Sequence, residues 1–80
     1  MDEIEKKIIK SFSVVFKMKN TEINKKLNIK NIKKWDSVNH IELILILESL
    51  FKIKIDPEVS FTLNSYKEIL NYLTKTIKKK

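Results

Sequence analysis

The sequence predicts an all-α protein, a small four-helix bundle with three longer helices, one short helix and a long first loop. Apolar residues recur at helical spacing near both ends of the chain, at Ile4, Ile8, Phe12 and Phe16 and again at Tyr66, Ile69, Leu70, Leu73 and Ile77. Between them, residues 37–51 form an apolar segment that is too long for a strand, with Glu42 and Glu48 better placed on a helix. The chain has 80 residues, of which 42% are hydrophobic, so it makes one domain spanning residues 1–80. A domain of this size buries only about 60–65% of the surface its unfolded chain exposes, and most of its apolar side chains must therefore serve one core.

The first helix is expected from about Asp2 to Met18, with Ile9 and Val15 beside its apolar stripe. Asp2 and Glu5 resemble a capping box, and acids in a first turn suit the helix dipole. From Lys19 to Trp35 no period is sustained. Asn20, Asn24, Asn28 and Asn31 favour turns there, while Leu27, Ile29 and Ile32 are placed to pin the segment onto the helices. The second helix starts with Asp36 or Ser37 as its N-cap and runs to about Phe51. It is apolar nearly all round, so it is either central or carries side chains meant for a partner. Ile53 and Ile55 then form a short extended piece, and Asp56-Pro57 starts a turn or a single helical turn through Phe61. Ser65 and Glu68 make a capping box for the last helix. Residues 75–80 are a basic tail, expected to favour the helix C-terminus and then fray.

Composition removes several classes of function. With no glycine there is no P-loop or GxGxxG turn, because both bring backbone close to phosphate where a Cβ would intrude. No cysteine and one histidine exclude cysteine-rich zinc sites, disulfide frameworks and Cys–His nucleophile pairs. A self-contained enzyme is not expected. The chain opens with acidic Met1-Asp2-Glu3 and no apolar leader core, and its longest apolar run, Leu43 to Leu47, is far short of a membrane span; a cytoplasmic protein is expected.

The net charge of +7 invites a nucleic-acid reading, but its distribution weakens it. Residues 1–34 carry +6, residues 35–74 carry −3 and residues 75–80 carry +4. Every basic residue is Lys, which removes the guanidinium fork that most often reads guanine. A compositional bias toward Lys, Asn and Ile accounts for the charge. A monomer is expected, without nucleic-acid binding or stable membrane association. The competing class is a basic helical module that binds nucleic acid or an anionic membrane through Lys6, Lys7, Lys10, Lys25, Lys26 and Lys78 to Lys80.

Asp36-Ser37 is the most informative spot, because a serine opening an apolar helix sits beside free backbone N–H groups and the positive end of the dipole. Trp35-Asp36-Ser37-Val38, then His40-Ile41-Glu42-Leu43, Leu47-Glu48, Phe51, Ile53 and Ile55 resemble the acyl carrier protein family, free-standing type with a Trp-Asp-Ser motif. The resemblance covers nearly the whole chain. It implies a four-helix bundle of acyl-carrier type, with Ser37 bearing a 4′-phosphopantetheine arm and Asp36 helping a phosphopantetheinyl transferase to hold Mg²⁺. It also implies a carrier that holds an acyl group as a thioester and presents it to acyl- or aminoacyl-activating and transferring enzymes. An aminoacyl or peptidyl carrier would use the same serine. Val38 stands where the family has Leu, Lys34-Trp35 replaces the common Leu-Gly pair, and the chain is basic where the family is acidic.

On a helical wheel Val38, Glu42, Leu45 and Ser49 fall on one stripe that follows directly from Ser37. This stripe, with Glu48 further along the helix, is expected to meet partner enzymes; Glu42 and Glu48 are read as solvated. The segment's local negative charge would steer a basic partner surface. His40 is expected to be partly exposed. A triad of Asp36, Ser37 and His40 is rejected for want of a glycine elbow or oxyanion turn. Trp35 is read as a packing anchor that closes the long loop.

Overall fold

A computed structural model describes residues 3–78, with four α-helices in the order α1 (Glu3–Phe16), α2 (Ser37–Phe51), α3 (Pro57–Ser60) and α4 (Tyr66–Lys78). Among the described residues the fold is all-α, as the periodicity predicts. Helix α1 stops two residues short of Met18 because Lys17 takes a left-handed backbone conformation, φ 55°, which ends the helical ladder. The expected Asp2 cap and the last two lysines of the tail lie outside the described residues. Ser65 caps α4 as expected, with the Glu68 N–H donating to its Oγ at 3.1 Å, but the expected box is only half formed: the Glu68 carboxylate accepts the Ser65 hydroxyl, at 3.2 Å, in place of the backbone N–H.

Asparagines organise the long connection between α1 and α2 as their chemistry suggests. Asn24 Oδ1 accepts the Lys26 N–H at 2.9 Å, and Asn28 Oδ1 accepts the Lys30 N–H at 2.8 Å. Asn31 accepts the Asn28 N–H and donates to the Lys26 carbonyl, closing a local knot. One 3-10 turn, Asn20–Glu22, is the loop's only helical element among the described residues. Backbone bonds then strap the loop to the far end of the chain, from the Ile29 N–H to Asn64 O at 2.9 Å and from the Tyr66 N–H to Leu27 O at 3.0 Å. These non-local bonds, with an antiparallel bridge between Asn28 and Ser65, have no signature in sequence periodicity. Ile32 is buried as expected, and Ile23 and Trp35 join it, whereas Ile29 stays 40% exposed.

The core lies where α1, α2 and α4 meet. Ile8, Phe12, Leu43, Leu47, Ile69 and Leu73 are fully buried there. Phe12 is the hub of an aromatic group, with ring centroids 5.5 Å from Phe16, 5.4 Å from Trp35 and 5.6 Å from Tyr66. These separations fit the edge-on and tilted geometries that aromatic quadrupoles favour. Ser11 is a fully buried polar residue in this interior, and it is satisfied by donating to the Ile8 carbonyl at 2.6 Å. No helix among the described residues is long and apolar enough to cross a membrane.

Tyr66 opens α4 with its ring buried and its hydroxyl donating to Glu5 at 3.5 Å. Burial, then the Glu5 charge and this hydrogen bond, push its pKa up from 10.0 to about 12. The unfolded chain therefore loses the Tyr66 proton first as pH rises, so this contribution is complete below pH 10 and is lost between pH 10 and about 12. Urea midpoints should fall more steeply over that window in the wild type than in Tyr66→Phe; parallel curves would show that Tyr66 is not the group responsible.

Candidate functional site

Asp36 settles where α2 begins. Its backbone is extended, φ −106°, and its Oδ1 accepts the Asn39 N–H at 2.9 Å, so Asp36 is the N-cap and Ser37 the first helical residue. Ser37 is exposed and its hydroxyl takes no part in capping. The turn ahead of it is fixed by the Lys34 carbonyl, which accepts from the Asp36 N–H at 3.0 Å and from Asn39 Nδ2 at 2.7 Å. Chain entry, cap and first turn are thereby locked around Ser37.

Trp35 is buried against Phe12 and Phe16, and its indole N–H donates to His40 Nδ1 at 2.9 Å. His40 is buried rather than partly exposed, the opposite of the expectation. Its Nε2 lies 2.7 Å from the Ser60 carbonyl, so the ring spans α2 and α3 with both nitrogens occupied. A buried imidazole must satisfy both nitrogens, and this one does so internally. Asp36, Ser37 and His40 do not assemble as a triad: the Asp36 carboxylate faces Asn39, and His40 is held by Trp35 and Ser60.

An apolar groove of about 590 Å³ opens between α2, α3 and the Ile29 segment. Ser37, Ile41, Ile44 and Glu48 line it at i, i+4, i+7 and i+11, one face of α2 about 16 Å long. Ile55, Pro57 and Phe61 form the facing wall, with Asp36 beside Ser37. Sequence reasoning missed this stripe, although its spacing from Ser37 was available as a signal. The wall that makes it a groove depends on where α3 docks.

Glu48 belongs to the groove and is not a solvated position. It is half-buried, and its Oε2 accepts the Ile55 N–H at 2.7 Å. Its carbonyl accepts the N–H groups of Lys52 and Ile53, with Lys52 left-handed at φ 55°. Glu48 therefore turns the chain out of α2 and holds the extended piece that leads to α3. Its charge is spent on structure, one helical stripe away from the other expected partner residues.

The outward stripe is open to solvent. Val38 is 72% exposed and Leu45 58%, with Glu42 and Ser49 also exposed, and Ile41 at 62% stands at the rim between this stripe and the groove, while α2 buries His40, Leu43, Ile44 and Leu47. The all-round apolarity of α2 thus divides into a core face, a groove face and an exposed apolar face. Among the described residues no three His, Cys, Asp or Glu gather as a metal site. Neither the models of known families nor the curated proteins match this chain.

Two truncations on the same helix should separate these faces. Leu43→Ala removes a fully buried side chain and should cost about 2–5 kcal/mol. Leu45→Ala should cost less than about 1 kcal/mol by denaturant unfolding, as surface substitutions do. Equal costs would mean that Leu45 is part of the core.

Proposed function

We propose that this chain is an acyl carrier protein that bears a 4′-phosphopantetheine arm on Ser37. One observation carries the reading: Ser37 offers an exposed, uncommitted hydroxyl at the first position of α2, at the head of an apolar groove that continues along the same helix. An attached chain would have an apolar bed beside its point of attachment. The arrangement of three longer helices, one four-residue helix and a long first connection agrees with the acyl-carrier type that the sequence resembles.

In attachment, Ser37 Oγ attacks the phosphorus of coenzyme A that bears the pantetheine ester. The new Oγ–P bond forms as the pyrophosphate bond breaks, adenosine 3′,5′-bisphosphate leaves, and the hydroxyl proton passes to a base of the transferase. Asp36 uses only Oδ1 to cap the helix, so Oδ2 is available as one ligand to the Mg²⁺ held in the transferase's site. The positive end of α2 favours the phosphodiester that results. Once attached, the arm supplies the thiol that this cysteine-free chain lacks and holds the acyl group as a thioester.

The transferase and the enzymes that load and unload the carrier would meet the exposed face formed by Val38 and Leu45, with Glu42 giving orientation. The groove lining is predominantly apolar, which favours an acyl over an aminoacyl cargo.

The protein incubated with coenzyme A, Mg²⁺ and a promiscuous phosphopantetheinyl transferase should gain the mass of one arm, and Ser37→Ala should gain none. No gain, or a gain that survives the substitution, overturns the reading. Tight and steeply salt-sensitive binding to nucleic acid in an unmodified protein would favour the basic-module class instead.

A further inference from the structure

His40 does more in this fold than fill space. Helix α3 has only four residues and none of them is buried, so its own packing holds it only weakly. Buried Ile55 and Leu63 anchor its two flanks, and half-buried Val59 packs against the core. Among the described residues, the hydrogen bond that links α2 to α3 is the one between His40 Nε2 and the Ser60 carbonyl, at 2.7 Å. That carbonyl also accepts the Leu63 N–H at 3.2 Å, so it sits at the point where α3 ends and the chain turns toward α4.

An indole nitrogen only donates, so the 2.9 Å contact from Trp35 Nε1 requires a bare lone pair on His40 Nδ1. The ring proton must then sit on Nε2, where it faces the Ser60 carbonyl. The other tautomer would set two donors against each other at Trp35 and a lone pair against an oxygen at Ser60. Both bonds fail together. The Trp35 and His40 rings are also nearly parallel, with centroids 6.1 Å apart and planes at 21°. Trp35 immediately precedes the cap of α2, while Ser60 and Phe61 line the groove opposite Ser37.

We propose that His40 is the positioning residue of the groove: the Trp35 N–H fixes its tautomer, and the Nε2–H so placed holds α3 as the groove's far wall. The long first loop and α3, remote in sequence, are coupled through one ring. This assignment concerns the shape of the groove and holds whether or not Ser37 carries an arm.

The chain has a single histidine, so long-range ¹⁵N NMR reads its ring without assignment. The spectrum should show protonated Nε2 and bare Nδ1. His40→Asn keeps an acceptor near Nδ1 for Trp35 but has no donor for Ser60. Hydrogen exchange at the Ser60, Phe61 and Leu63 amides should accelerate roughly threefold to tenfold, the loss expected for one hydrogen bond, while α1 and α4 keep their rates. His40→Gln, whose side-chain NH₂ reaches toward the Nε2 position, should restore much of that protection. A ring protonated on Nδ1 in the wild type overturns the proposal, and so do equal exchange rates at α3 in the Asn and Gln variants. If His40→Asn fails to fold, the wild-type spectrum still decides.

Discussion

Burial of Trp35 between Phe12 and Phe16 is the interaction on which the rest of the structure depends. Residues 17–35 contain one 3-10 turn and many lysines, and ordering such a segment costs about 1–2 kcal/mol of backbone entropy per residue. Asparagine turns shape the loop locally but do not attach it to the bundle. Backbone bonds of Leu27 and Ile29 tie it to the start of α4, and buried Ile23, Ile32 and Trp35 seat it on the core; Trp35 is the largest of these side chains and the last before α2. Because the next residue is the cap, the seat of Trp35 fixes where α2 starts and hence where Ser37 stands. Through His40 the same indole reaches α3. One side chain thus positions the serine and the wall of the groove beside it.

The charge distribution has a structural explanation. Glu22, Asp36, Glu48 and Asp56 each accept a backbone N–H at a helix end or chain reversal, and Glu68 accepts the Ser65 hydroxyl at the start of α4. Carboxylates in such places satisfy donors that a helix leaves open. The lysines have no comparable internal work, and most of them are exposed; Lys7, half-buried, lies 5.3 Å over the Phe51 ring. In a chain without glycine, reversals also fall to residues with a Cβ, and Lys17 and Lys52 take the left-handed positions where glycine is usually found. The negative balance of residues 35–74 therefore largely reflects caps. Glu42 remains as an acid on the exposed face of α2, which narrows the local field available to steer a partner.

The helices were legible because each announces itself locally. The stripes of α1 and α4, the Ser65 cap of α4 and Pro57 at the start of α3 need no tertiary information. Asp36-Ser37 was legible to within one residue, since both side chains can cap and only the backbone geometry distinguishes Asp36. What sequence could not reveal depends on contacts between distant segments. His40 looked like an ordinary helix residue because its partners lie five residues before it and twenty after it. Glu48 looked solvated because its acceptor role depends on the chain turning back at Lys52. The groove face of α2 was hidden for the same reason: Ser37, Ile41, Ile44 and Glu48 form a stripe on any wheel, but they line a groove only once α3 is docked.

Trp35 is the chain's single tryptophan, so its part in making the long loop integral to the helical bundle has a direct readout. Equilibrium urea unfolding followed by tryptophan fluorescence reports the loop's seat, and far-ultraviolet circular dichroism reports the helices. If the indole binds loop and bundle into one cooperative unit, the two transitions coincide in midpoint and slope. A fluorescence transition completed at lower urea, with helicity still intact, would contradict the account.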